Sequence, residues 1–243
     1  MKQQLKNKTA IVTGASGGYG VGIATSLKKA GADVWIIARS KNKLEKVAEE
    51  IGAQPFCGDV TRIEDWERLF ATIEKTGKSV DILVNNAGGG VSLQDIDNQS
   101  DDDILSSISL NLTSSVLGSK RAAKIMKSKK SGIIIQISSI CAQQCWPGWS
   151  VYGAAKAGLE HFSRGLYCEL RPHNVRAVCI TPSWGATGFN NAAQLPSSSE
   201  DDRMRMISPD DMGQLVLQVC TTPGHLVIPE VTLLPIIQEI IPY

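Results

Sequence analysis

Thr9-Ala10-Ile11-Val12-Thr13-Gly14-Ala15-Ser16-Gly17-Gly18-Tyr19-Gly20 reads as a short apolar strand that breaks into a glycine-rich turn, and an amphipathic stretch follows it. Gly14, Gly18 and Gly20 suit a backbone that must turn sharply and approach a pyrophosphate at a helix N-terminus, with Ser16 and Tyr19 beside it. Glycines alone also make ordinary tight turns. The strand before and the helical pattern after supply the context that a nucleotide loop requires.

The same alternation continues along the chain. Residues 9–13, 34–38, 54–57, 81–84, 132–138, 175–181 and 226–233 read as strands, with amphipathic stretches between most of them. Right-handed crossovers between such strands build an α/β fold, a Rossmann-type, doubly wound sheet of about seven parallel strands. Its ligand crevice lies at the carboxyl ends of the strands, where strand order reverses. At 243 residues, 42% hydrophobic and 20% charged, the chain is expected to form a single domain over residues 1–243. The polar stretches 94–103 and 197–202 do not divide it. Asp101-Asp102-Asp103 and Ser208-Pro209-Asp210-Asp211 each stand before a helical pattern, where they cap free N–H groups and suit the helix dipole.

A net charge of +1 argues against a nucleic acid or a membrane surface as the main partner, because both call for a large basic excess. A small molecule is the expected partner. Cys57, Cys141, Cys145, Cys168, Cys179 and Cys220 form no C-x-x-C pair and have no histidines in zinc spacing, so they read as buried free thiols. His161, His173 and His225 are too scattered for a metal site. The polar start of the chain and the lack of a long apolar run point to a cytoplasmic protein with no signal peptide or membrane span.

Two further stretches carry chemistry. At the end of the second strand stands Ala38-Arg39-Ser40, where an acidic residue would suit a free 2′-hydroxyl on the adenosine ribose and a basic one a 2′-phosphate. Asp33 opens that strand and so lies at its wrong end. Arg39 offers a planar, charge-assisted grip on phosphate, with Ser16 or Ser40 as extra donors, which favours NADP(H). Tyr152 and Lys156 stand four apart in a helical run, on one face. A phenol titrates near ~10, and a fixed ammonium nearby favours its charged form, so Tyr152 is expected to exchange protons at neutral pH.

Taken together, the glycine loop, Asn85-Asn86-Ala87-Gly88 after the fourth strand, and Ser139, Tyr152 and Lys156 resemble the short-chain dehydrogenase/reductase family over nearly the whole chain. The loop has the family's TGxxxGxG form, and Tyr152 follows Ser139 at the usual interval of 13. The resemblance implies that Tyr152 is the general acid for a carbonyl oxygen and that Ser139 orients the same oxygen. It implies that Lys156 assists the phenol and binds the nicotinamide ribose, and that Asn111 holds a water in the proton relay. It further implies cofactor contacts from Asp59 and Val60, from Asn86, Ala87 and Gly88, and from Pro182 and Thr187. The chain departs from the family at Tyr19, where a small aliphatic residue is common, at Ser183, where glycine follows the proline, and at Leu234-Pro235.

The expected reaction is NADPH-dependent reduction of an apolar ketone or 3-oxoacyl substrate, or the reverse oxidation. Trp146, Trp149, Trp184 and Phe189 are placed to wall an apolar pocket, under a substrate lid at about 187–207. Plain packing of that loop on its own helix is the alternative. Pairing of helices between subunits, as in the family, together with the apolar run Leu159, Phe162, Leu166 and Leu170, leads to an expected homodimer or homotetramer. The basic run Lys120, Arg121, Lys124, Lys127, Lys129 and Lys130 fits a solvated helix end better than a dock for an acyl carrier protein. A non-catalytic NADP(H)-binding sensor or scaffold is the rival reading, with Ser183 its one hint.

Overall fold

Strands buried on both faces need helices above and below them, and the chain supplies both. The computed structural model describes residues 4–193, 195 and 199–238. In chain order it contains β1 (Thr9–Thr13), α1 (Gly18–Lys29), β2 (Asp33–Ala38), α2 (Lys41–Ile51), β3 (Gln54–Cys57), α3 (Ile63–Lys75), β4 (Val80–Asn85), α4 (Asp101–Ile108), α5 (Ser114–Lys129) and β5 (Gly132–Ile137). There follow α6 (Ser150–Leu170), β6 (Val175–Pro182), α7 (Phe189–Ala192), α8 (Glu200–Arg205), α9 (Pro209–Thr221) and β7 (Glu230–Leu233). The seven strands form one parallel sheet in the order β3-β2-β1-β4-β5-β6-β7. The order runs outward in opposite directions from β1 and β4, which creates the reversal point that the alternation predicts.

Side chains alternate across the strands and so divide the core in two. Val12, Ile36, Val84, Ile135 and Val178 face one layer with Ile23 and Leu27 of α1 and Met212 and Val216 of α9. Ile11, Trp35, Leu83, Ile134 and Ala177 face the other, with Trp66 and Leu69 of α3, Met126 of α5 and Leu166 and Leu170 of α6.

Several expectations are corrected in detail. The last strand begins at Glu230, not at residue 226, because Leu226 N–H closes a turn onto Pro223 O and Pro229 has no N–H to give a ladder. Leu159, Leu166 and Leu170 are buried in the protomer's own core and Phe162 packs against it, so this run gives no support to subunit pairing. Cys57, Cys145 and Cys168 are exposed, and only Cys141, Cys179 and Cys220 are buried. The capping expectations hold: Ser100 Oγ accepts from Asp103 N–H, and Ser208 and Asp211 form a reciprocal capping box with Pro209 in the first turn of α9. No helix among the described residues is long and apolar enough to cross a membrane.

Candidate active site

A cleft of about 800 Å³ opens at the carboxyl ends of β1, β4, β5 and β6, at the reversal point. Its floor begins at the glycine loop, where Gly14 and Gly18 have φ of 66° and 53°, a region that side chains rarely adopt. A Cβ on Gly14 would also lie 2.8 Å from Ala87 Cα, so the backbone runs bare against the next loop. That loop is fastened in place: Asn86 N–H and Ala87 N–H donate to Thr13 Oγ1 at 2.9 and 2.8 Å, and Asn86 Nδ2 donates to Thr13 O at 2.9 Å. Gly14, Ser16, Gly18, Tyr19, Asn86, Ala87 and Gly88 all line the cleft, while Gly20 is buried beneath it, where a Cβ would lie only 2.5 Å from Gly14 O.

At the far end, α6 brings Tyr152 and Lys156 to the cleft, and the turn after β5 brings Ser139. Ser139 stands close enough to the Tyr152 phenol to favour its ionised form, and accepts from Cys141 N–H at 3.2 Å. Its neighbour Ser138 turns the other way and donates to Lys156 O at 3.3 Å. Lys156 Nζ sits 5.9 Å from the Tyr152 ring centroid and donates to Ile137 O at 2.9 Å. Asn111 lies in a widened π-type turn, Ser109–Thr113, that joins α4 to α5, and it is buried. Its Oδ1 accepts from Gly89 N–H and its Nδ2 donates to Gly89 O, both at 3.0 Å. Asn111 Oδ1 and Lys156 Nζ thus converge on Gly88, where a Cβ would begin 2.9 and 3.1 Å from them.

Burial dominates the electrostatics here and corrects one expectation. Tyr152 is 6% exposed and Lys156 3%. Desolvation raises the phenol's pKa above its ordinary value, with the charge of Cys141 adding to the rise and the Ser139 hydrogen bond opposing it. Desolvation likewise pulls Lys156 down to about 8, which weakens the positive charge that was expected to acidify the phenol. In this state Tyr152 is a proton donor and not an ionised base.

Arg39, Ser40, Asp59 and Val60 are not brought into the cleft lining; they stand after β2 and β3, toward the side where an adenosine would lie. Asp59 Oδ1 accepts from both Thr61 N–H and Thr61 Oγ1, and Val60 is buried with its carbonyl accepting from Trp66 Nε1. Arg39 is exposed and forms no ion pair among the described residues. Sequence reasoning missed Lys43, an exposed cation in the first turn of α2 that does line the cleft. Its signal was there: it lies four residues past Arg39, in the first turn of the helix that follows the second strand.

Pro182 at the end of β6, and Ser183 and Thr187 after it, line the cleft. Ser183 is not among the residues with positive φ, so serine in place of glycine imposes no backbone strain. Trp149, Tyr152 and Phe189 form an aromatic wall: Trp149 stacks on Phe189 at 6.0 Å and 11°, and Tyr152 meets the two rings edge-on at 5.7 and 5.8 Å. Trp146, Trp184, Leu195 and Met206 extend this lining. Of the expected lid, residues 194 and 196–198 lie outside the described residues. Within the basic run on α5, Arg121 pairs with Glu67 and Lys129 with Asp81.

The glycine cradle at one end of the cleft and Tyr152, Lys156 and Ser139 at the other fit a dinucleotide lying between them. The family described as short chain dehydrogenase matches residues 8–196. An uncharacterized oxidoreductase of Staphylococcus aureus is 32% identical over 235 residues, covering 96% of this chain and 99% of that protein. Serine 3-dehydrogenase of Agrobacterium fabrum is 31% identical over 246 residues, covering 95% of each. Among solved structures, a metagenomic short-chain oxidoreductase in complex with NADP superimposes with a TM-score of 0.83 at 29% identity, covering 96% of this chain and 99% of that one. The closed form of a serine dehydrogenase complexed with NADP+ gives 0.88 at 26% identity, covering 97% and 98%.

Proposed function

The chain belongs to the short-chain dehydrogenase family, and from that premise we propose that it reduces an apolar ketone or 3-oxoacyl compound to a secondary alcohol with NADPH, or catalyses the reverse oxidation. The observation that carries this reading is the buried Tyr152 phenol, which lines one cleft with Ser139, Lys156 and the glycine loop. Bound NADPH supplies the hydride for the carbonyl carbon. Tyr152 gives its proton to the carbonyl oxygen, and Ser139 holds that oxygen in line. Lys156, with a pKa of about 8, is poised to pass a proton toward the phenol, and Asn111 anchors the Gly88–Gly89 backbone beside it. Pro182 and Thr187 bound the nicotinamide end. Arg39 and Lys43, with Ser16 or Ser40, are read as the grip on the 2′-phosphate, and the NADP-bound relatives support that choice.

The substrate class follows from what surrounds the phenol. The wall is aromatic and aliphatic, and the cleft's charged lining side chains are Lys43, Lys156 and Asp202. Among the described residues that line it, no arginine stands to receive the carboxylate of a substrate such as serine. A neutral ketone is the better fit, with the segment at about 187–207 as the lid over it. Self-association into a homodimer or homotetramer belongs to the same reading, supported by Leu105 of α4, which is 67% exposed; a mass in solution of 26.1 kDa alone would overturn it.

Purified protein should oxidise NADPH in the presence of some apolar ketone. Tyr152→Phe should lower turnover by about 10²–10⁴ while NADPH still binds. Tight NADPH binding with no turnover across a broad ketone panel would favour the sensor instead.

A further inference from the structure

Two departures from the family pattern, Tyr19 and Ser183, meet at one place. Tyr19 projects from the first turn of α1, lines the cleft, and donates through its hydroxyl to Ser183 O at 3.4 Å. It also fills the space in front of Gly185, where a Cβ would begin 2.1 Å from Tyr19 Oη and 2.6 Å from Tyr19 Cζ. The strip that receives the phenol is itself fastened. Ser183 N–H donates to Leu233 O at 3.0 Å, Ala186 N–H to Ile207 O at 2.9 Å, and Ile207 N–H to Trp184 O at 3.0 Å. Gly185 pairs with Ile207 as a one-residue parallel bridge. The phenol is therefore wedged between the glycine loop and the strip from Ser183 to Ala186 that is tied to Ile207. Burial, and after it the charge of nearby Tyr152, holds the Tyr19 pKa above its ordinary value, so the hydroxyl keeps the proton it donates.

We propose that Tyr19 is a positioning residue for the nicotinamide end of the bound dinucleotide, with Gly185 as its matched socket; this rests on the NADP(H) reading above. Phosphates at a helix N-terminus are held by backbone N–H groups, which need no aromatic side chain at position 19. What a phenol reaching Ser183 and Gly185 adds is a rigid wall at the Tyr152 end, held by packing and one hydrogen bond. A side chain at 185 would drive the phenol out of its socket and into the cleft. The Arg39 and Lys43 end would be untouched.

The test titrates NADPH and 2′,5′-ADP calorimetrically into the wild type, Gly185→Ala, Tyr19→Leu and the double variant. Gly185→Ala should weaken NADPH roughly tenfold, as overpacking does. It should leave 2′,5′-ADP within about twofold, since that ligand lies at the distant end. Tyr19→Leu alone should weaken NADPH by about threefold and leave 2′,5′-ADP unchanged, and the double variant should bind as Tyr19→Leu does, a partial rescue of Gly185→Ala that general damage to the fold would not give. The proposal is overturned if Gly185→Ala binds NADPH as the wild type does, if it loses both ligands alike, or if the second change gives no recovery. A wild type with no affinity for NADPH would instead remove the cofactor reading itself.

Discussion

Lys156 is a base that the fold would hold more cheaply if it were neutral. Its pKa lies at about 8, below the ordinary lysine value of 10.5, so the folded state binds fewer protons than the unfolded state between those values. Stability contributed by this group therefore rises with pH through that window, and its cost is fully present below pH 8. Cys179 and Cys220, raised by burial to about 12, act in the opposite sense above their ordinary value of 9. The clean interval is pH 8 to 9. Denaturant melts of wild type and Lys156→Met should differ there, with the wild type gaining on the variant by on the order of 1 kcal/mol. Parallel curves would show that Lys156 keeps its full charge in the fold. At Tyr152 the raised pKa means that the reductive rate should hold level through neutral pH, while the rate of alcohol oxidation should climb with pH as the phenol becomes ionisable. The four-residue spacing of the pair was legible in the sequence; the direction of its pKa shifts was not, because desolvation depends on the strands and rings that pack around the helix.

Elements decide which end of the cleft does what. The β2 to α2 junction carries Arg39 before the helix and Lys43 in its first turn, both exposed. Arg39→Ala and Lys43→Ala should each weaken NADPH by about 1–2 kcal/mol, the scale of an exposed charge-assisted phosphate contact, and leave NADH binding unchanged. The loss should shrink in high salt. Equal losses for both nucleotides would move the 2′-phosphate elsewhere. At the other end of the chain, Ser208→Ala removes the cap of α9, the helix that packs along α1 behind the glycine loop. It should cost about 1 kcal/mol in stability, read from the melting midpoint. Caps and strands were readable because their signals are local. Asn111 was readable as a residue but not as a contact, since its grip on Gly89 depends on a π-type turn that no periodicity announces.

At the scale of the whole molecule, the sheet order places four strand ends around one cleft, and the nearly neutral chain adds no strong field to steer a charged ligand toward it. Discrimination must then come from the wall itself. The doubly wound fold followed from alternation, but the strand order and the wall did not: Leu195 and Met206 join Trp149 and Phe189 only through the path of the segment after β6, which the sequence left undetermined. Among the described residues that line the cleft there is no arginine, Lys156 is already engaged by Ile137 O, and Lys43 stands at the other end, so the desolvation of a carboxylate against the aromatic wall would be poorly compensated. Paired ketones of the same size, one ending in a methyl group and one in a carboxylate, should therefore differ in kcat/KM by about 10² or more in favour of the neutral member. Trp149→Arg should narrow that gap by giving the acid a partner. Equal rates for the two ketones in the wild type would mean that the carboxylate stays in water beyond the aromatic wall, and the apolar substrate class would fall.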